Sequence, residues 1–243
     1  MIRVSNLVKE FGDITAVNGV SFEAGKGEVF GLLGENGAGK TTTLRMLATM
    51  LRPTSGGILM GGFDAVKEPE KVRARIGILF GGETGLYDRL TAAENIAYFG
   101  ELNDMDHGSI GARIDELSGI FSMGEFINRR ASKLSKGMKQ KVAFARSIVH
   151  DPDIMLFDEP TSGLDVSAVR DVHDFILKCR SEGKTVIFSS HSMSEVERLC
   201  DRIAVIHKGR LAGVGTVEEF KARFGKDSLE EIFLRLVGGR DEA

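Results

Sequence analysis

Cysteine is scarce: Cys179 and Cys200 are the only two, and no CxxC spacing joins them. That excludes a cysteine metal cluster and a thioredoxin-like redox motif, and it fits two buried structural thiols in a reducing compartment. Long apolar runs are missing too. None reaches about 18 residues, so no membrane-spanning helix is expected. The opening stretch, MIRVSNLVKEF, contains no apolar signal-peptide region. Any service to a membrane is therefore expected to pass through a partner. Nor is there an excess of positive charge. The net charge of −3 argues against a general nucleic-acid binder, leaving room for a local basic patch. Repeats, heptads and low-complexity linkers are absent. What remains is a chain of 243 residues, 42% hydrophobic and 28% charged. That suffices for one large domain, or for a core with a small inserted subdomain.

Against this plain background two strings stand out. Residues 34 to 41 read GENGAGKT, a G-x-x-x-x-G-K-[ST] phosphate cradle. Wrapping a phosphate requires successive N–H groups to point inward, with dihedrals glycine adopts freely and room that a Cβ would fill. Gly34, Gly37 and Gly39 meet both needs. Lys40 can reach the β- and γ-phosphate oxygens, and the Thr41 hydroxyl is suited to Mg²⁺. The buried-strand run EVFGLL precedes the loop. The helically spaced Leu44, Leu47, Ala48 and Leu51 follow it. The loop thus opens a helix, where free N–H groups favour an anion. The second string, IMLFDEP at 154 to 160, predicts a strand that delivers Asp158 and Glu159 at its C-terminal end. Parallel α/β sheets bind ligands at that edge. Asp158 is suited to hold Mg²⁺, directly or through water, and Glu159 to polarise a water for attack on the γ-phosphate. A surface turn or helix start would read the same without the cradle beside it.

The remaining pattern predicts a mixed α/β chain. Strands are expected in IRVSNLV, AVNGVSFEA, GILM, IGILF and TVIFSSH, and helices in TAAENIAYFGEL, IGARIDELSGIF and KGMKQKVAFARSIVH. A further helix should run from Val166 to Arg180. RIAVIHKGRLAGVG should form a hairpin turning at Lys208-Gly209, and VEEFKARFG and DSLEEIFLRLV should form two amphipathic helices.

Residues 134 to 141, LSKGMKQK, carry a family resemblance. Between a phosphate cradle and an Asp-Glu strand, this string resembles the LSGGQ signature of ABC ATPases. Ser135 and Gly137 match; Lys136 and Met138 depart. Physically it is a helix start able to bind a second phosphate, or simply Ser135 capping a basic, solvated helix. The resemblance covers nearly the whole chain. It implies a P-loop NTPase (ABC ATPase) fold with an antiparallel β subdomain, an inserted helical subdomain and a short helical C-terminal extension. The implied bounds are 1–90 and 151–215 for the ATPase core with its β subdomain, 91–150 for the helical signature subdomain and 216–243 for the extension. It assigns ATP contacts to Phe11, Val17, Gly34, Glu35, Asn36, Gly37, Ala38, Gly39, Lys40, Thr41 and Thr42, and Mg²⁺ to Thr41 and Asp158. Phe11 would stack on adenine, or be a half-buried strand residue. Ser135, Lys136 and Gly137 would bind the ATP of the other subunit. Asp165, in SGLD (162 to 165), would link the two sites, or cap a helix. Glu159, His191 and Lys40 would be catalytic, with His191 contacting the γ-phosphate, unless it is a buried structural histidine.

One departure concerns a glutamine that the family places after the strand corresponding to IGILF. Here that position falls on Gly81 or Gly82, with Glu83 nearby as a substitute. Within the family, the LSKGM signature, GLYDRLTAAEN and the LEEIFL tail look like those of stand-alone ATPase subunits of sodium-extruding and drug-exporting systems. That implies ATP and Mg²⁺ as cofactors, a homodimer or a heterodimer with a related ATPase, polytopic permease subunits, and a place on the cytoplasmic face of the cell membrane. No nucleic-acid partner is expected. The stripe Leu229, Ile232, Phe233 and Leu236 reads first as core packing and second as a partner surface. Two rivals remain at this point: a soluble ABC ATPase of translation or DNA repair, and a small-molecule kinase or phosphate-binding module.

Overall fold

A computed structural model describes residues 1–80, 85–225 and 228–238. The continuous apolar runs form the centre of a largely parallel sheet. Its strands are β3 (Val29–Leu33), β6 (Ile76–Leu79), β7 (Ile154–Asp158), β8 (Thr185–Ser190), β9 (Arg202–His207) and β10 (Arg210–Gly215). Their order is β10-β9-β3-β8-β7-β6, with neighbours parallel except for the antiparallel edge pair β9 and β10. Every residue of β3, β7 and β8 is buried. Strands covered on both faces need no polar side, which is why these segments read as unbroken apolar strings.

The two faces meet different layers. On one, Phe30, Leu32, Ile154 and Leu156 pack against helix α1 (Lys40–Leu47) and a second, antiparallel sheet. That sheet has the order β2-β1-β4-β5, from β1 (Ile2–Phe11), β2 (Ile14–Ala24), β4 (Ser55–Met60) and β5 (Phe63–Asp64). On the other, Met155 and Phe157 pack against α5 (Lys136–Ser147) and α6 (Val166–Ser181). Helices α3 (Ala92–Leu102) and α4 (His107–Ile120) extend this layer around Phe121. The alternation within β7 is the period-two geometry of a strand at work. Cys179 is buried in this layer and its thiol is pushed up to about 12 by burial. Cys200 packs its Sγ beside Gly31, and burial raises its thiol as well. Both are free.

The tail follows its stripe. Leu229, Ile232, Phe233 and Leu236 on α9 (Leu229–Gly238) are buried against Val217 and Phe220 of α8 (Val217–Phe224) and Val205 of β9. Core packing therefore accounts for the stripe. Among the described residues, short elements not expected from the sequence include β5, α2 (Pro69–Arg73) within the polar stretch KEPEKVRAR, and α7 (Met193–Leu199). No helix among the described residues is long and apolar enough to cross a membrane. Gly81, Gly82 and Glu83, the positions of the missing glutamine, lie outside the described residues.

Candidate active site

The loop between β3 and α1 is shaped by glycines that nothing larger could replace. Gly39 sits at φ +105°, and a Cβ there would lie 2.6 Å from the Ala16 carbonyl oxygen. A Cβ on Gly34 would lie 2.4 Å from the Ile206 oxygen. Gly37 also takes positive φ, at +79°. The β9–β10 turn clamps the loop from the side: Gly209 N–H donates to Ala38 O (2.9 Å) and Asn18 N–H donates to Gly209 O (2.7 Å). Lys208 and Gly209 both have positive φ, the turn chemistry a tight hairpin demands. A loop packed this closely on the Ala16 and Ile206 backbones, with Gly37 and Gly39 at positive φ and opening on the N-terminus of α1, fits a polyphosphate.

Lys40 is 5% exposed, and its Nζ donates to the Gly34 and Glu35 carbonyls at 2.7 and 3.0 Å. Burial pushes its amine below the usual lysine range, resisted by the charges of Glu159, Asp158 and Glu35. Glu35, Asn36 and Gly37 form the exposed lip of the loop, whereas Ala38 is buried. Thr41 Oγ1 donates to Asp158 Oδ2 at 2.8 Å. A hydroxyl and a carboxylate are hard oxygen donors, so this pair is chemically fit to hold Mg²⁺. Thr42, the next residue, is half-buried in the first turn of α1.

Opposite the loop, β7 and β8 deliver their ends side by side, Asp158 in register with Ser189. Ser189 Oγ donates to Asp158 Oδ1 at 2.5 Å and accepts from the Glu159 N–H at 3.0 Å. Glu159 itself has φ +48°, a left-handed backbone that a non-glycine residue holds only under constraint. Its Oε1 lies 3.2 Å from Nδ1 of His191. The His191 side chain is 64% exposed, which excludes the buried structural histidine.

The other expected residues are placed around this centre. Phe11 ends β1 half exposed, with Lys9 Nζ 5.0 Å from its ring centroid. Val17, expected to line the same pocket, is fully buried behind Gly39. Ser135 caps α5, accepting from the Met138 N–H at 3.3 Å. Asp165 caps α6, accepting from the Ala168 N–H and the Ser167 hydroxyl, and the Ala168 bond first of all holds its carboxyl below the usual range. Lys136 Nζ lies against Gly163, 3.4 Å from where a Cβ would stand. Among the described residues, Ser135, Lys136 and Gly137 make no hydrogen bond to the Lys40, Asp158 and Glu159 group.

Sequence reasoning missed several parts. Ser189 joins Asp158, the last residue of β7, to Glu159 just beyond it, and the two serines that end the apolar strand TVIFSSH are the signal that could have found it. Thr43, buried, donates its hydroxyl to Gly39 O at 2.9 Å. Glu195, on the unexpected α7, is buried in contact with the loops that carry Glu159 and His191.

Comparison with known proteins gives the family. The ABC transporter family model matches residues 17–162. The ABC transporter ATP-binding protein NatA of Bacillus subtilis is 50% identical, over 98% of this chain and 99% of its own length. The daunorubicin resistance ATP-binding protein DrrA3 of Streptomyces coeruleorubidus is 36% identical, over 98% of this chain and 74% of its own. Among solved structures, an ATP-binding subunit of an ABC transporter superposes with a TM-score of 0.91 at 27% identity, covering 97% of this chain and 99% of that one. A dimeric cassette, MJ0796, in a post-hydrolysis state with ADP and Pi superposes at 0.80 with 26% identity, covering 89% and 99%. The chain belongs to the ABC transporter family, as one of its ATP-binding and ATP-hydrolysing proteins.

Proposed function

We propose that this chain is the motor subunit of an exporter of the sodium- or drug-extruding type, working as a pair of copies, or with a related ATPase, beneath separate permease subunits on the cytoplasmic face of the membrane. The observation that carries the site assignment is the convergence of the loop lysine with the ends of β7 and β8. Thr41 bonds Asp158 at 2.8 Å and Glu159 lies 3.2 Å from His191, with Lys40 close enough for the charges of Glu159 and Asp158 to act on its amine. In this reading Lys40 leaves the two loop carbonyls for the phosphate oxygens of ATP. Phe11 stacks on the base, and the exposed lip from Glu35 to Gly37 offers its N–H groups. Thr41 and Asp158 would hold Mg²⁺, which would supply neutralisation of phosphate charge. Glu159 takes the proton of the attacking water, and His191, bonded to Glu159, orients toward the γ-phosphate.

Ser135, Lys136 and Gly137 then serve the ATP of the other copy, with Asp165 between the two sites. The absence, among the described residues, of a hydrogen bond from these three to their own chain's Lys40, Asp158 and Glu159 supports that arrangement. So does the dimeric state of the solved MJ0796 cassette. The division into core (1–90 and 151–215), helical subdomain (91–150) and extension (216–243) follows the same reading. Loss of phosphate would release the closed pair and move the permease between two states, the ligand acting only through its different affinity for them. The exporter class rests on relatives named for drug resistance and on NatA. The soluble alternative has no comparable support.

The test is direct. Lys40→Ala removes a buried charge-assisted contact to phosphate, so ATP affinity should fall by about 10- to 100-fold. Glu159→Gln should retain binding and stop turnover. Unchanged hydrolysis in either variant would remove the assignment.

A further inference from the structure

We propose that Glu195 is a positioning residue for hydrolysis, its buried carboxylate tying the chain just after Glu159 to the chain just before His191. The inference rests on the catalytic assignment of that pair. Glu195 is 6% exposed. Its Oε1 accepts from the Thr161 hydroxyl at 2.9 Å and lies 2.9 Å from Nε2 of His173. Its Oε2 accepts from the Ser190 hydroxyl at 2.6 Å. Thr161 stands two residues beyond Glu159, Ser190 directly before His191, and His173 two turns into the helix that Asp165 caps. Ser190 Oγ also accepts from the Ser192 N–H at 2.9 Å, and Ser192 caps α7, which carries Glu195. One carboxylate thus fastens three segments that all lead to the site.

A buried carboxylate costs desolvation, and packing alone would be served as well by an apolar side chain. The local backbone gives a reason for the charge. Glu159, at φ +48°, keeps a left-handed conformation that must be held from both sides. Ser189 holds it on the amide side, through its hydroxyl at 3.0 Å and its carbonyl at 3.2 Å. On the other side Pro160 is buried and the next residue, Thr161, is anchored to Glu195. Releasing that anchor lets Glu159 relax away from His191, while the described hydrogen bonds that shape the phosphate loop involve neither Glu195 nor Thr161. The cost should therefore fall on kcat and spare ATP binding.

The purified chain is assayed for ATP turnover, ATP affinity and thermal midpoint. Glu195→Gln keeps the shape but turns one acceptor into a donor; Thr161→Val deletes one hydroxyl; Thr161→Ser keeps it. Glu195→Gln and Thr161→Val should each lower kcat about tenfold or more, the scale of a misplaced catalytic group, with KM within about twofold. Thr161→Ser should retain turnover. Undiminished kcat in a folded Glu195→Gln or Thr161→Val chain overturns the proposal. So does a joint loss of kcat and affinity that tracks the fall in Tm, which marks a purely structural role. Glu159→Gln run in parallel separates the two levels: turnover persisting there overturns the catalytic pair and this inference with it, whereas turnover lost there but kept in Glu195→Gln overturns only the latter.

Discussion

Gly39 states the residue-scale logic most sharply. Its φ of +105° and the 2.6 Å clearance to Ala16 O leave no place for a side chain. Gly39→Ala should cost about 1–3 kcal/mol in backbone strain alone. For a chain of this size that is a fall of about 2–4 °C in thermal midpoint per kcal/mol, with ATP binding lost as the loop deforms. Calorimetry of the variant checks the first and nucleotide titration the second. Glu195 gives a pH signature at the same scale. Burial raises its carboxyl, but hydrogen bonds from His173, Ser190 and Thr161 outweigh that and leave it below the ordinary 4.5. A carboxyl with a depressed folded-state value stabilises the fold above its unfolded value and loses that contribution as pH falls through the folded one. Acid titration of stability should therefore show a decline beginning below about pH 4.5. That decline should be shallower in Glu195→Gln than in the parent chain. Equal slopes would mean the carboxylate is not held as its contacts imply.

At the scale of elements, α9 offers the cleanest test of packing against partner binding. Ile232 is fully buried in the cluster it shares with Val196, Val217 and Phe220. Ile232→Ala should cost about 2–5 kcal/mol, read as a drop in denaturant midpoint of the isolated chain. An unchanged midpoint would return the stripe to a docking role. The elements legible in the sequence are the ones with strong periodicity or unbroken apolar runs: β3, β7 and β8 by their buried strings, α3, α5 and α6 by helical spacing, and the β9–β10 hairpin by Lys208-Gly209. The ones missed are short. Helix α7 has only seven residues, and its start, Ser192 accepting from the Glu195 N–H at 3.4 Å, was hidden behind the histidine motif. Strand β5 has two residues and exists only through its pairing with β4. The site was legible where chemistry demands a residue type, as at Gly39, Lys40, Asp158 and Glu159. It was not legible where a side chain acts through another. Ser189 and Glu195 owe their importance to sheet register and to a helix packed far along the chain, which spacing cannot express.

At the scale of the whole molecule, the phosphate loop and the Ser135 helix start lie in one chain without a hydrogen bond between them among the described residues. A second copy is the simplest partner for both. The decisive measurement is the mass of Glu159→Gln by light scattering, with and without Mg·ATP. Slow turnover should trap the closed pair, so its mass should double with Mg·ATP and stay single without it or with EDTA added. Adding Ser135→Ala should abolish the doubling while costing only about 1 kcal/mol of helix-cap stability. A Glu159→Gln chain that binds ATP and remains single at saturating Mg·ATP would contradict the shared-site account.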